Sequence, residues 1–159
     1  MNVKGIIAIS GRPGLFKVIA QSKSSVIVES LIDGKRTPAY ASEKISTLED
    51  ISIFTYDEDV RLIDVFQSMI EKYDGGEGLN HKEAPAALTN ELLTILPNYD
   101  QERVYPSDIK KIFQWYNLLS KAGLLATEES TENSSQETTD EVANEGTSEV
   151  EEVKESGEE

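Results

Sequence analysis

Between Val3 and Tyr56 the chain falls into five short apolar runs, each stopped by a turn signal, and this spacing constrains the fold more than any other feature. Val3–Ile9 and Leu15–Gln21 flank Ser10-Gly11-Arg12-Pro13-Gly14. Ser25–Leu31 and Arg36–Ala41 flank Asp33-Gly34, a dipeptide suited to a type I′ hairpin turn because both central positions need positive φ. Ile51–Thr55 follows Ser46–Asp50, which reads as a single helical turn. Runs this short are too brief for stable helices, and their β-branched and aromatic residues fit a pleated surface. Phe16, Val18 and Ala20 alternate onto one face, and Pro38 marks its run as an edge or a bulge because it lacks a backbone donor. The expected fold is α+β: a small five-stranded SH3-like β-barrel, in the manner of KOW-like and Tudor-like barrels, followed by helices and a disordered acidic C-terminal tail. That plan says nothing about function, since one fold hosts many.

The periodicity then changes to helical. Leu62, Phe66, Met69 and Tyr73 predict a helix over about Asp59–Tyr73, with Asp57, Glu58 and Asp59 suiting its positive N-terminal end and Thr55 with Glu58 spaced as a capping box. Asp74-Gly75-Gly76-Glu77-Gly78 ends it and reads as a flexible joint. Leu88, Leu92 and Ile95 predict a second helix over about Lys82–Leu96, with Pro85 in its first turn. Ile109, Ile112, Phe113, Tyr116 and Leu119 predict a third over about Ser107–Ala122, closed by Gly123 and Leu124. The expected units are residues 1–74 (barrel plus packed helix), 75–81 (joint), 82–125 (a two-helix unit) and 126–159 (the tail).

Charge is distributed unevenly along these units. The net charge is −15, yet residues 1–48 hold seven Lys/Arg against three acids, while residues 126–159 hold thirteen acids and one lysine. The tail's few apolar residues cannot offset the entropy of ordering it, so it reads as disordered. There is no cysteine, which removes disulfides and thiolate metal sites and fits a reducing compartment. The apolar run Ile6–Ile9 is too short for a signal-peptide core, and no run approaches a membrane span, so a cytoplasmic location with no membrane contact is expected.

The runs GIIAISGRPGLFKVIAQSKSSVIVESLIDGKRTPAYASEKISTLEDISIFT and DQERVYPSDIKKIFQWYNLL resemble a family of uncharacterised Bacteroidetes proteins, in which an N-terminal domain of unknown function precedes a small helical domain and an acidic low-complexity tail. The resemblance implies a cytoplasmic protein of that lineage and carries over no catalytic or binding residue.

Each motif that invites chemistry has a plainer structural reading. Gly11-Arg12-Pro13-Gly14 lacks the lysine and the following helix of a phosphate loop and reads as a turn. His81, the sole histidine, has no identifiable second ligand and reads as a solvated loop residue. Asp57–Asp59 lacks the alternating ligands of a calcium loop. Trp115 and Tyr116 beside Lys110 and Lys111 resemble a stacking surface, but aromatics at helical spacing are more often core. No positioned acid–base pair can be assembled, so no enzyme and no cofactor or metal is expected. The leading expectation is a non-enzymatic interaction or adaptor protein with a protein partner. The alternative is an RNA- or ribosome-associated protein whose basic barrel loops touch phosphate. On either reading the contact residues are Arg12, Phe16, Lys17, Lys35, Arg36 and Tyr40.

Overall fold

The computed structural model describes residues 1–126, which fall within one compact unit. The expectation of a disordered tail concerns residues outside those described, apart from Ala126. Five strands, β1 (Ile6–Ile9), β2 (Phe16–Gln21), β3 (Ser25–Ser30), β4 (Arg36–Tyr40) and β5 (Ile45–Thr47), form an antiparallel sheet in the order β4-β3-β2-β1-β5. The sheet is not closed: β4 and β5 are its two edges, so the class is α+β with an open five-stranded sheet. Pro38 lies on an edge strand, where its missing N–H costs no ladder bond.

The fifth strand differs from the expected one. Ile45–Thr47 pairs with β1, and the helical turn, a 3₁₀ turn at Leu48–Asp50, comes after it rather than before. Ile51–Thr55 contributes instead to a separate two-stranded ribbon, β6 (Ser52–Ile53) with β7 (Val60–Arg61). Three-residue β5 has only exposed side chains, so hydrophobic patterning could not reveal it. The hairpin at Asp33-Gly34 is also longer than a two-residue turn. Ser30 N–H donates to Lys35 O, leaving a four-residue loop in which only Gly34 has positive φ.

Alternation along the strands gives the sheet two apolar faces. Ile7 lies opposite Phe16, Val18 opposite Val28, and Val26 opposite Ala39, so these residues and Ile9 make one cluster on one face. The alternation fails after Val18, where a register shift between Val18 and Ala20 accompanies an exposed Ile19. The other face presents Ile6 and Leu15 to the main core, where they join three helices: α1 (Leu62–Tyr73), α2 (Pro85–Ile95) and α3 (Pro106–Lys121). α1 buries Leu62, Val65, Phe66 and Met69, the i, i+3, i+4, i+7 positions of one helical face. α3 buries Ile109, Ile112, Phe113, Tyr116 and Leu119 in the same manner. Gly123, at φ +70°, ends α3 with Leu124 N–H returning to Leu119 O, the closure that the glycine led one to expect.

α1 begins later than the acidic cluster. Val60 and Arg61 are paired as β7, so Asp57, Glu58 and Asp59 lie in the β6–β7 loop and do not cap the helix. Thr55 Oγ1 accepts from Asp57 N–H and donates to Glu58 O, which makes a local turn in place of the capping box. Gly76 and Gly78 are held by contacts with α3. Gly78 N–H donates to Asn117 Oδ1 at 2.8 Å, and Tyr116 Oη donates to Gly76 O at 2.9 Å. A Cβ on Gly78 would lie 2.8 Å from the Tyr73 ring, so the aromatic pair Tyr73–Tyr116 leaves room for glycine alone. This stretch is bonded along α3 within the same unit.

Candidate functional site

The six residues singled out from the sequence do not form one site. Phe16 is buried in the sheet's own cluster. Arg12 folds back across the sheet: its guanidinium donates to Thr37 Oγ1 at 3.1 Å and Pro38 O at 3.2 Å and pairs with Glu43 at 2.7 Å. It thereby ties the β1–β2 loop to edge strand β4. Arg36 pairs with Glu29 at 2.8 Å across the β3–β4 ladder, and Lys35 pairs with Asp33 at 3.5 Å. The Lys35 backbone N–H, with Ser30, holds the Asp33 carboxyl below its ordinary range. Lys17 is exposed in register with Glu29, and Tyr40 is 51% exposed at the opposite end of β4 from Arg36. Arg12, Lys35 and Arg36 each have an internal acid.

A different surface collects open aromatic and cationic side chains. Between α3 and the segment Ile51–Phe54 lies a cleft of about 270 Å³, walled by Ile53, Leu62, Ile112 and Trp115, with Phe54, Arg103, Asp108 and Lys111 among its other lining residues. A second hollow of about 370 Å³ lies between α3 and the β1–β2 loop, walled by Ala8, Ile9 and the stretch 10–14. The two share Ile51, Lys111 and Trp115, and so form two lobes of one groove. Asp108, Lys111, Ile112 and Trp115 are spaced i, i+3, i+4, i+7, which places them along one side of α3.

The far end of the groove is held rigidly. Arg103 donates Nε–H to Asp100 Oδ2 at 2.7 Å and Nη2–H to Thr55 O at 3.2 Å, and its guanidinium lies 4.4 Å from the Phe54 ring centroid. The same Asp100 accepts the backbone N–H groups of Glu102 and Arg103, and the Arg103 guanidinium is the main cause of its lowered pKa. Tyr56 N–H donates to Asn98 O and Asp100 N–H to Phe54 O, so the two loops are laced together. Phe54, Tyr56 and Tyr105 remain exposed around this lacing, at 42%, 61% and 63%. Asp108 accepts the Tyr105 N–H at 3.1 Å, and Lys111 lies 3.9 Å from the other Asp108 oxygen, an ion-pair distance too long for a hydrogen bond.

Of the pair weighed on α3, Tyr116 is core and Trp115 is half-buried at the groove. Lys111 and Trp115 stand close together in the sequence, but Phe54 and Arg103 were not legible as site residues, because 48 positions separate Thr55 from Arg103. The signal for Phe54 was its place with Tyr56 on either side of Thr55, where a run of alternating strand residues leaves them facing away from the core.

His81 lines a third hollow with Asn117 and Lys121 and is half-buried rather than fully solvated. Burial, then Lys82, Lys110 and Lys121, lower its pKa and favour the neutral ring. Between α1 and α2, Tyr73 Oη donates to Glu91 at 2.5 Å and Lys72 pairs with the same carboxylate at 2.7 Å. Burial pushes the Tyr73 phenol up, and the Lys72 hydrogen bond is the main cause that holds Glu91 down. Tyr73 also packs on Tyr116, so this cluster reads as a helix–helix tie. Among the described residues no group of three or more His, Cys, Asp or Glu is placed to hold a metal ion, and no helix is long and apolar enough to cross a membrane.

Comparison with known proteins places the chain by family. Residues 3–48 match the Domain of unknown function (DUF5606), and residues 51–119 match the Domain of unknown function (DUF6852). A solution NMR structure of a protein from Bacteroides vulgatus is 39% identical, with a TM-score of 0.62, over 77% of this chain and 89% of that one. No curated protein matches. The junction of the two matched segments, at residues 48–51, falls beside Ile51, which both lobes of the groove share. The chain therefore belongs to a Bacteroidetes-type family and carries these two domains of unknown function in succession.

Proposed function

We propose that this protein is a non-enzymatic interaction module that binds a protein partner in the groove along α3. One observation carries the reading: Trp115 and Phe54 stay partly open beside an apolar floor, with Arg103 and Lys111 at the rim. Trp, aromatic residues and Arg are the side chains that dominate protein interfaces, because they bury large areas with few rotors and pair in several ways. The groove's walls come from both matched segments, and clefts that bind ligands favour such junctions. In this reading the sheet is an opened SH3-like barrel that serves as one wall. Its order β4-β3-β2-β1-β5 supports the comparison, because the last strand returns beside the first.

The alternative, RNA or ribosome association through the β loops, is supported by Lys17 and Tyr40 alone of the six residues first singled out. Arg12, Lys35 and Arg36 are each engaged by an acid, and phosphate would have to displace it. Affinity capture from native lysate, with and without nuclease, distinguishes the two. Protein partners that survive nuclease and vanish with Lys111→Glu are expected. Retention of RNA that is lost with Lys35→Glu plus Arg36→Glu, but not with Lys111→Glu, would reverse the assignment.

A further inference from the structure

We infer that the third hollow, around His81, is an anion site that takes a small organic phosphate, independently of the interaction reading above. Lys110, Gln114, Asn117 and Lys121 are spaced i, i+4, i+7, i+11, which places them along a different side of α3 from Asp108, Lys111 and Trp115. Asn117, only 8% exposed, gives its whole amide to the segment before α2. Its Oδ1 accepts Gly78 N–H at 2.8 Å, and its Nδ2 donates to Leu79 O at 3.0 Å. Asn80 Oδ1 then accepts Lys82 N–H at 2.9 Å. These bonds hold His81 and Lys82 against the α3 stripe around a hollow of about 360 Å³, a size that suits a small molecule.

Charge selects an anion. Residues 1–126 carry fourteen Lys/Arg against seventeen acids, so the described body is slightly acidic. The hollow runs against that average. Lys82, Lys110 and Lys121 all lie near enough to depress the His81 pKa, and Glu77 is the one acid among the lining residues. Glu77 stands 3.6 Å from Lys121, a long contact between exposed side chains. Among the described residues Lys82 and Lys110 have no acid within ion-pair distance, so an entering anion displaces none from them. Separate ammonium groups act as point charges and suit the spread charge of a phosphate, whereas the planar fork that matches a carboxylate belongs to arginine. Ile32 and Leu118, which both stand against Gly14, give the same hollow an apolar wall. That wall suits the organic part of a phosphate ester better than the bare ion.

The sole histidine reports the site by NMR of the full-length chain. A bound anion offsets the three ammonium groups and so raises the His81 pKa. Sodium sulfate, a dianion throughout the histidine range, should raise it by about 0.5 or more beyond sodium chloride of equal ionic strength, which screens without occupying the hollow. At fixed pH phenyl phosphate should shift the His81 resonance saturably and bind about fivefold more tightly than inorganic phosphate. Lys82→Ala with Lys110→Ala, both at exposed positions, should weaken phenyl phosphate about tenfold, whereas Lys111→Ala should leave it unchanged. A single-stranded RNA oligonucleotide runs in parallel. Sulfate acting no differently from chloride, or an equal loss with Lys111→Ala, would mean diffuse surface charge and overturn the site. Phenyl phosphate binding no better than inorganic phosphate overturns the organic ligand. RNA that saturates His81 at far lower concentration overturns the small molecule in favour of nucleic acid. The groove along α3 is judged separately, by the lysate capture.

Discussion

The β loops and the α3 groove both offer cations and aromatic rings, yet the fold buries the ring of one and leaves those of the other partly open. At the loops Arg12, Lys35 and Arg36 meet Glu43, Asp33 and Glu29, and Phe16 disappears into the sheet's own cluster. At the groove Arg103 is paired with Asp100 at 2.7 Å, but Phe54 stays 42% exposed, Trp115 half-open, and Lys111 no nearer than 3.9 Å to its acid. The difference teaches that residue type nominates a contact surface but internal pairing decides whether it stays available. A cation with its own acid must exchange one partner for another, which yields little net free energy.

Four substitutions would break or sharpen this contrast. The largest effect belongs to the aromatic residues. Phe16→Ala should destabilise by about 3–5 kcal/mol in chemical denaturation, since it opens a cavity among Ile7, Ile9 and Val28. Trp115→Ala should cost less, about 1–2 kcal/mol, because part of that ring already faces water. Equal losses would mean that Trp115 is as much core as Phe16 and that the groove is not an open surface. Next comes Arg12→Ala, expected to cost about 1–2 kcal/mol through its bonds to Thr37, Pro38 and Glu43. Hydrogen exchange should quicken at the β1–β2 and β4–β5 loops in that variant. An unchanged exchange pattern with lost binding would return Arg12 to the role of a contact residue. The smallest effect is Lys35→Ala, within about 0.5 kcal/mol, because its pair with Asp33 lies in open solvent. A clear loss of partner binding there would move the site back to the loops.

Much of the frame was legible in the chain. The first four strands, three helices, the edge position of Pro38 and the closure at Gly123 all follow from local chemistry. What misled was chemistry with two local solutions. Asp57–Asp59 suits a helix N-terminus, but Val60 and Arg61 are taken by pairing with Ser52 and Ile53, and the helix begins beyond them. Gly78 has a reason that is not local at all, since the rings of Tyr73 and Tyr116 leave no space for a Cβ there. Gly78 and Asn117 are 39 residues apart, and no local pattern encodes that bond.

By itself the sequence determined the periodicities: alternation for a two-faced sheet, helical stripes for α1 and α3, and a charge gradient that leaves thirteen acids against one lysine after residue 125. Those depend on neighbours within a turn or a strand, where geometry is fixed by the backbone. Only the tertiary structure decided which strand is fifth, which cations are neutralised and where Trp115 finds an open side. Each of those depends on residues brought together from distant parts of the chain, Thr55 with Arg103 or Arg12 with Thr37. Such meetings are set by how the sheet and helices pack as a whole, so the groove exists only once the core has formed.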